Sequence, residues 1–305
     1  MKRDYTKLLD ITRKEADHLL ERAKKLKDMR LKGSVYRPLA GKSLAMIFEK
    51  ASTRTRLSFE TGIHELGGHG IFLSPSETQI GRGEPIKDTA RVLSRYVDAV
   101  MIRTYSQQIV DELAKWATIP VINGLSDYCH PCQILSDLLT IQEYKGGLKD
   151  VRIAYIGDGN NVANSWLEAA ILFKLHFSIA TPKRYEPDRT LLEKASKGGG
   201  FFITNDPAGA VRDADVIYTD VWVSMGQEKE KEVRKKAFKG YKIDNKLLAL
   251  ARKDAIVMHC LPAYRNQEIT DEVFERYSEV IFTQAENRLH AQKALLEWLM
   301  GRKRT

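Results

Sequence analysis

Ser43-Leu44-Ala45-Met46-Ile47-Phe48 is followed, after three residues, by Ser52-Thr53-Arg54-Thr55-Arg56 and then by Leu57-Ser58-Phe59-Glu60-Thr61-Gly62-Ile63. The first run is short, apolar and reads as a buried strand; the last reads as the opening turns of a helix. Between them, two hydroxyls and two guanidiniums are packed into five residues at a strand-to-helix turn. A helix N-terminus exposes unpaired N–H groups and the positive end of the helix dipole, a natural seat for phosphate. Ser and Thr add neutral donors and Arg adds a cationic fork. The competing reading is an ordinary Ser or Thr cap flanked by surface arginines.

Working outward, the same strand–helix alternation recurs. Residues 5–31 carry apolar positions at helical spacing, and Gly67-Gly68-His69-Gly70 ends the helix that follows the turn. Strands are expected at 71–73, 99–102 and 120–123, with helices at 90–96, 109–117 and 134–144. Residues 76–88 form a long polar loop, and loops of that length are often functional. Short apolar strands alternating with helices indicate a parallel, doubly wound sheet, which binds ligands at the carboxyl ends of its strands. The Ser52–Arg56 turn, Arg103 and the loop 123–133 all fall at such ends.

Gly146-Gly147 closes the helix 134–144, and the domain boundary is placed there: residues 1–145 and 146–305. Strands near 151–156, 176–181, 201–204, 215–220, 255–260 and 280–284 make a second sheet. The last helix, 288–300, is expected to pack back on the first domain. The fold class is therefore α/β, two doubly wound domains each with a mostly parallel sheet flanked by helices, with the active site expected in the cleft between them.

The totals limit what such a chain does. Its 305 residues exceed what one core usually organises. No apolar run is long enough to span a membrane, the N-terminal residues lack a signal-peptide pattern, and three cysteines do not make a disulfide framework. A cytoplasmic protein is expected. The net charge of +9 suits an anionic partner, but Lys and Arg alternate with Asp and Glu in segments such as 228–242, so neither nucleic acid nor a membrane is expected as partner.

Several constellations sit at the strand ends. His130-Pro131-Cys132-Gln133 opens the helix before the boundary; Pro suits the first turn, and His130 is placed to donate to a carbonyl oxygen. Cys129 and Cys132 resemble half a metal or redox site, but no second pair matches, so no metal is assigned. Gly157-Asp158-Gly159-Asn160-Asn161-Val162 imitates a dinucleotide-binding turn without its third glycine, and Ala180-Thr181-Pro182 lacks the acidic residue such a site requires. No cofactor is expected, and Asn161 is read as a contact for a small polar ligand. Asp220-Val221-Trp222-Val223-Ser224-Met225-Gly226 places a carboxylate at a strand end before a short Ser/Gly segment suited to an ammonium group. His259-Cys260-Leu261-Pro262 ends a later strand, and Arg288 is placed at the end of the last one.

Ser-Thr-Arg-Thr-Arg, His-Pro-Cys-Gln, Ser-Met-Gly and His-Cys-Leu-Pro, in this order, resemble the aspartate/ornithine carbamoyltransferase family over nearly the whole chain, and the last two motifs resemble its ornithine branch. The resemblance implies transfer of the carbamoyl group of carbamoyl phosphate to the δ-amine of L-ornithine, giving citrulline and phosphate, in arginine biosynthesis or in the reverse direction. It implies that Ser52, Thr53, Arg54 and Thr55 hold the phosphate, that Arg103 bridges phosphate and carbonyl, that His130 meets the carbonyl oxygen and Gln133 the amide. Pro131, Cys132, Cys260, Leu261 and Arg288 complete that pocket, with Gln79 reaching in from the long loop. Asn161, Asp220, Ser224 and Met225 would bind ornithine, with Cys260 beside the reacting amine, so that Arg103, His130 and Cys260 act at the chemical step. A homotrimer or a multiple of trimers is implied. The rivals are a carbamoyltransferase with another acceptor and a non-enzymatic nucleic-acid binder.

Overall fold

The computed structural model describes residues 2–74 and 83–301. The chain divides into two compact units: Met1–Leu139 with Glu286–Thr305, and Thr140–Ala285.

In chain order the first unit holds α1 (Arg13–Leu31), β1 (Ser43–Phe48), α2 (Thr53–Glu65), β2 (His69–Leu73), α3 (Ile86–Tyr96), β3 (Ala99–Arg103), α4 (Gln107–Trp116), β4 (Val121–Leu125) and the first part of α5 (Pro131–Lys145). Its sheet runs β2-β1-β3-β4 with every pair parallel. Strands β3 and β4 are buried at every residue, which explains their unbroken apolar runs: a parallel sheet is covered on both faces. Ala45, Ile47, Val100, Ile102, Val110, Leu113 and Val121 meet in one core. The register sets Phe48 opposite Arg103 and Arg103 opposite Leu125, so three strands end at one level. Between Ile102 and Arg103 the register slips by one residue, past Gly124. A Cβ on Gly124 would lie 2.5 Å from Met101 Sδ, so a larger residue there would have to displace the Met101 side chain.

The second unit contains β5 (Arg152–Ile156), α6 (Asn161–Phe173), β6 (His176–Ala180), α7 (Arg189–Lys197), β7 (Phe201–Thr204), α8 (Pro207–Val211), β8 (Val216–Thr219), α9 (Lys231–Ala237), α10 (Asn245–Leu248), β9 (Ile256–His259) and α11 (Asp271–Arg276). Its parallel sheet runs β7-β6-β5-β8-β9. The connection after β5 runs toward β6 and the one after its neighbour β8 runs the opposite way, toward β9, so residues after β5 and β8 share the switch point where such folds bind ligands.

The expected strand at 280–284 is overturned. Those residues lie in α12 (Ser278–Met300), a helix of 23 residues, and Arg288 is inside that helix rather than at a strand end. The apolar triple Val280-Ile281-Phe282 is too short to separate strand from helix by periodicity. Burial separates them: Val280, Ile281, Gln284, Asn287 and Arg288 are buried while Phe282 is 55% exposed, which is helical spacing. Helix α3 also starts at Ile86, ahead of the expected Ala90.

Candidate active site

In the first unit Ser52 is the N-cap of α2, its hydroxyl accepting from the Thr55 N–H at 3.2 Å, while Arg56 N–H returns to the Ser52 carbonyl. The N–H groups of Thr53 and Arg54 are left as first-turn donors without an intrahelical acceptor. The cap reading and the anion-site reading therefore coexist, since capping uses one donor and leaves two. Thr55 is fully buried, and its hydroxyl oxygen accepts from Arg288 Nη2 at 2.8 Å and from Arg103 Nη1 at 3.5 Å. Thr55 thus gathers guanidiniums from α12 and β3 at the start of α2. Arg56 turns away, donating to Glu60 and stacking over Phe72.

His130 and Gln133 are buried beside this cluster at the start of α5. Pro131 takes the first helical position, and its carbonyl accepts from Tyr5 Oη at 3.1 Å. Burial, and then the charges of Arg288, Arg103 and Arg54, hold the His130 imidazole well below its ordinary pKa. It is a neutral donor among three cations. Gln133 donates through Nε2 to Asp137 Oδ1 at 2.8 Å, one helical turn on. That bond fixes the orientation of the amide and leaves Oε1 a buried acceptor with no partner among the described residues. Cys132 donates to the Asn123 carbonyl, and burial pushes its thiol up to about 12, so it is packing rather than a nucleophile. Gln79 lies outside the described residues.

In the second unit Asp220 follows β8 and is buried. Its carboxylate accepts from Cys260 Sγ at 2.9 Å, from Asn160 Nδ2 at 2.7 Å and from the Val221 N–H at 2.8 Å. Asn160 caps α6 with its side-chain oxygen, which also accepts from Tyr155 Oη at 3.2 Å. The residue that meets Asp220 is therefore Asn160, whereas Asn161 is the half-buried first residue of α6. Leu261 adopts a left-handed φ of 59°, and its N–H donates to His259 Nδ1 at 2.9 Å. His259 Nε2 faces Glu268 Oε1 at 3.3 Å, so the imidazole holds the His-Cys-Leu-Pro turn. Ser224 is half-buried, its N–H bonded to Gln227 Oε1, and Met225 is 45% exposed.

Among the described residues Asp220, His259 and Cys260 bring donor atoms within 4.8 Å of one another. Both His259 nitrogens are already engaged and the thiol donates to Asp220, so the chemistry of the set is that of a hydrogen-bond cluster rather than a cation site. Sequence reasoning missed Asp137, Asn160 and Glu268. The four-residue spacing of Gln133 and Asp137 on a helix was a usable signal. Nothing local connects Asn160 to position 220.

Guanidiniums gathered around a neutral imidazole at the strand ends of one parallel sheet, and a buried carboxylate–thiol pair at the switch point of another, mark a two-unit α/β enzyme with a cationic cluster in one unit and an anionic group in the other. Residues 3–143 match the carbamoyl-phosphate-binding domain, and residues 149–299 the Asp/Orn-binding domain, of aspartate/ornithine carbamoyltransferase. An ornithine carbamoyltransferase of Methanoculleus marisnigri is 54% identical over 302 residues, 99% of this chain and 98% of that protein. Among solved structures, the ornithine carbamoyltransferase of Pyrococcus furiosus has a TM-score of 0.92 at 51% identity, covering 98% of this chain and 97% of that one. The anabolic ornithine carbamoyltransferase of Campylobacter jejuni has a TM-score of 0.91 at 45% identity, covering 98% and 99%. The chain belongs to the aspartate/ornithine carbamoyltransferase family.

Proposed function

We propose that this protein transfers the carbamoyl group of carbamoyl phosphate to the δ-amine of L-ornithine, yielding L-citrulline and phosphate, a step of arginine biosynthesis. The observation that carries the reading is the first unit's set of groups: three guanidiniums around a neutral His130, beside a Gln133 whose amide oxygen has no partner among the described residues. Each answers one part of carbamoyl phosphate. Arg54, Arg103 and Arg288, with Ser52, Thr53 and Thr55, take the phosphate. Arg103 and the His130 N–H take the carbonyl oxygen, and Gln133 Oε1 accepts from the amide. Pro131 and Cys132 line the remainder of this set. Residues 1–145, joined by Arg288, serve carbamoyl phosphate, and the rest of 146–305 serves ornithine.

The neutral δ-amine attacks the carbonyl carbon, the new C–N bond forms and the oxygen becomes an oxyanion; as the carbonyl re-forms, the carbon–oxygen bond to phosphate breaks and the proton lost by nitrogen leaves on the departing phosphate. A neutral donor and a fixed guanidinium aimed at the oxyanion are each worth about 3–4 kcal/mol at such a centre. The guanidiniums also stabilise the departing phosphate. Asp220, held by Cys260 and Asn160, offers its charge to the ammonium end of ornithine, with Asn161, Ser224 and Met225 around it. A second carboxylate on the acceptor is disfavoured there, which argues for ornithine over aspartate. Assembly as a homotrimer or a multiple of it is part of the same reading and rests on the family resemblance alone. A cytoplasmic location accords with three free, buried cysteines.

The test is product formation from carbamoyl phosphate with ornithine, aspartate or putrescine, in wild type and Arg54→Ala. Turnover with ornithine alone, reduced at least 100-fold in the variant, is expected. Turnover with another acceptor overturns the assignment of Asp220 to Met225, and no transfer to any acceptor overturns the whole reading.

A further inference from the structure

Arg234, on α9, is buried although α9 is otherwise a charged surface helix. Its Nη1 donates to Asp158 Oδ2 at 2.9 Å and to the Trp222 carbonyl at 3.2 Å, and its Nε donates to Glu230 at 2.9 Å. The guanidinium lies 5.1 Å over the Tyr185 ring. Phe238 closes the surroundings, stacked on Trp222 and edge-on to Tyr185.

These partners are not equivalent parts of a core. Asp158 belongs to the Gly157–Asn160 turn, whose last residue donates to Asp220. That turn is pressed onto the 185–187 backbone: Gly159 N–H donates to the Tyr185 carbonyl at 2.8 Å, and a Cβ at Gly159 would lie 2.3 Å from Pro187 N. Trp222 begins the segment that carries Ser224 and Met225, two residues after Asp220. One guanidinium nitrogen, Nη1, therefore ties the turn that positions Asn160 to the segment that follows Asp220. A lysine ammonium, a point donor on a flexible stem, does not supply the two Nη1 bonds together with the Nε bond to Glu230 in one fixed plane.

We infer that Arg234 is a positioning residue for the acceptor amino acid: it touches no substrate, but its paired bonds to Asp158 and the Trp222 carbonyl hold both sides of the Asp220 pocket in register. This rests on the ornithine reading of that pocket. A guanidinium that merely stabilises the fold would lower stability and leave the two substrates' constants in step; a positioning role separates them.

The experiment uses full-length wild type, Arg234→Lys and Arg234→Met. Initial rates are measured against ornithine and against carbamoyl phosphate, and hydrogen exchange is followed in unliganded protein over residues 220–227 and 52–58. For Arg234→Lys we expect the KM for ornithine to rise at least tenfold, with the KM for carbamoyl phosphate within twofold and kcat within threefold. Exchange should quicken over 220–227 and stay unchanged over 52–58. Arg234→Met should move the same quantities further, and where it does not fold the Lys variant decides. An ornithine KM within twofold of wild type, an equal rise in both KM values, or unchanged exchange over 220–227 overturns the inference. If wild type itself transfers nothing to ornithine, the substrate reading has failed, and exchange over 220–227 then decides whether Arg234 holds the segment.

Discussion

His130 is a residue at which burial and charge act in the same direction. Taking an imidazole out of water disfavours its cation, and Arg288, Arg103 and Arg54 disfavour it again, so its pKa falls well below 6.5. At neutral pH it is a donor without charge, as required beside an oxyanion that forms only after attack. A cationic His130 would add attraction to phosphate in the ground state as well as in the transition state, tightening binding without raising kcat. His130→Ala is therefore expected to lower kcat by about 100- to 1,000-fold. The sign of the pH dependence follows from the direction of the shift. Had the pKa stayed near 6.5 or above, the wild-type advantage over His130→Ala would grow as pH falls through it, because the imidazole would gain charge. With the pKa depressed, the ratio of the two kcat/KM values should be flat from pH 8.5 to 6.5. A ratio that climbs on acidification contradicts the neutral assignment. The position of His130 ahead of a helix start was readable from Pro131; its neutrality was not, because the guanidiniums that impose it come from positions 54, 103 and 288.

Helix α12 is the element for which local reading failed, and the failure has a physical cause. Val280-Ile281-Phe282 satisfies a buried strand as well as a buried helix turn, and the neighbouring α11 gave no clear break. In the structure Ile281 is fully buried in the core of the second unit, with Ile217, Val257 and Phe274, whereas Phe282 keeps an edge contact with Phe274 and is largely exposed. Ile281→Ala is expected to destabilise the protein by about 2–5 kcal/mol and Phe282→Ala by less than about 1 kcal/mol, read as urea midpoint shifts. In a central strand both residues would be covered and both losses large; comparable shifts would contradict the helical assignment. Elsewhere the elements were readable because their signals were redundant. At β1 to α2 an apolar run, a Ser cap and helical spacing agreed, and at α5 Pro131 and Gly146 marked both ends. Ser52, Arg103 and His130 were legible as candidates because they stand at strand or helix ends. Asn160 and Glu268 were missed because their partners, Asp220 and His259, are fixed by tertiary packing.

At the scale of the whole molecule the net charge of +9 finds a use that needs no nucleic acid. A positive protein attracts a small dianion over distances comparable to the Debye length, about 10 Å at 0.1 M salt and 3 Å at 1 M. Charges mixed along the chain give a diffuse field, which affects capture of the substrate more than its conversion. The buried guanidiniums of Arg103 and Arg288 act at contact distance, where salt screens little. The two contributions therefore separate experimentally. Raising sodium chloride from 0.05 to 0.5 M should lower kcat/KM for carbamoyl phosphate several-fold and leave kcat within twofold. The same change should leave the KM for ornithine, a zwitterion with an extra ammonium, unchanged or slightly lower, because screening relieves its repulsion from a positive protein. If kcat falls with salt as steeply as kcat/KM, the charges that matter are exposed rather than buried, and the placement of Arg103 and Arg288 as the dry cations of the site is wrong.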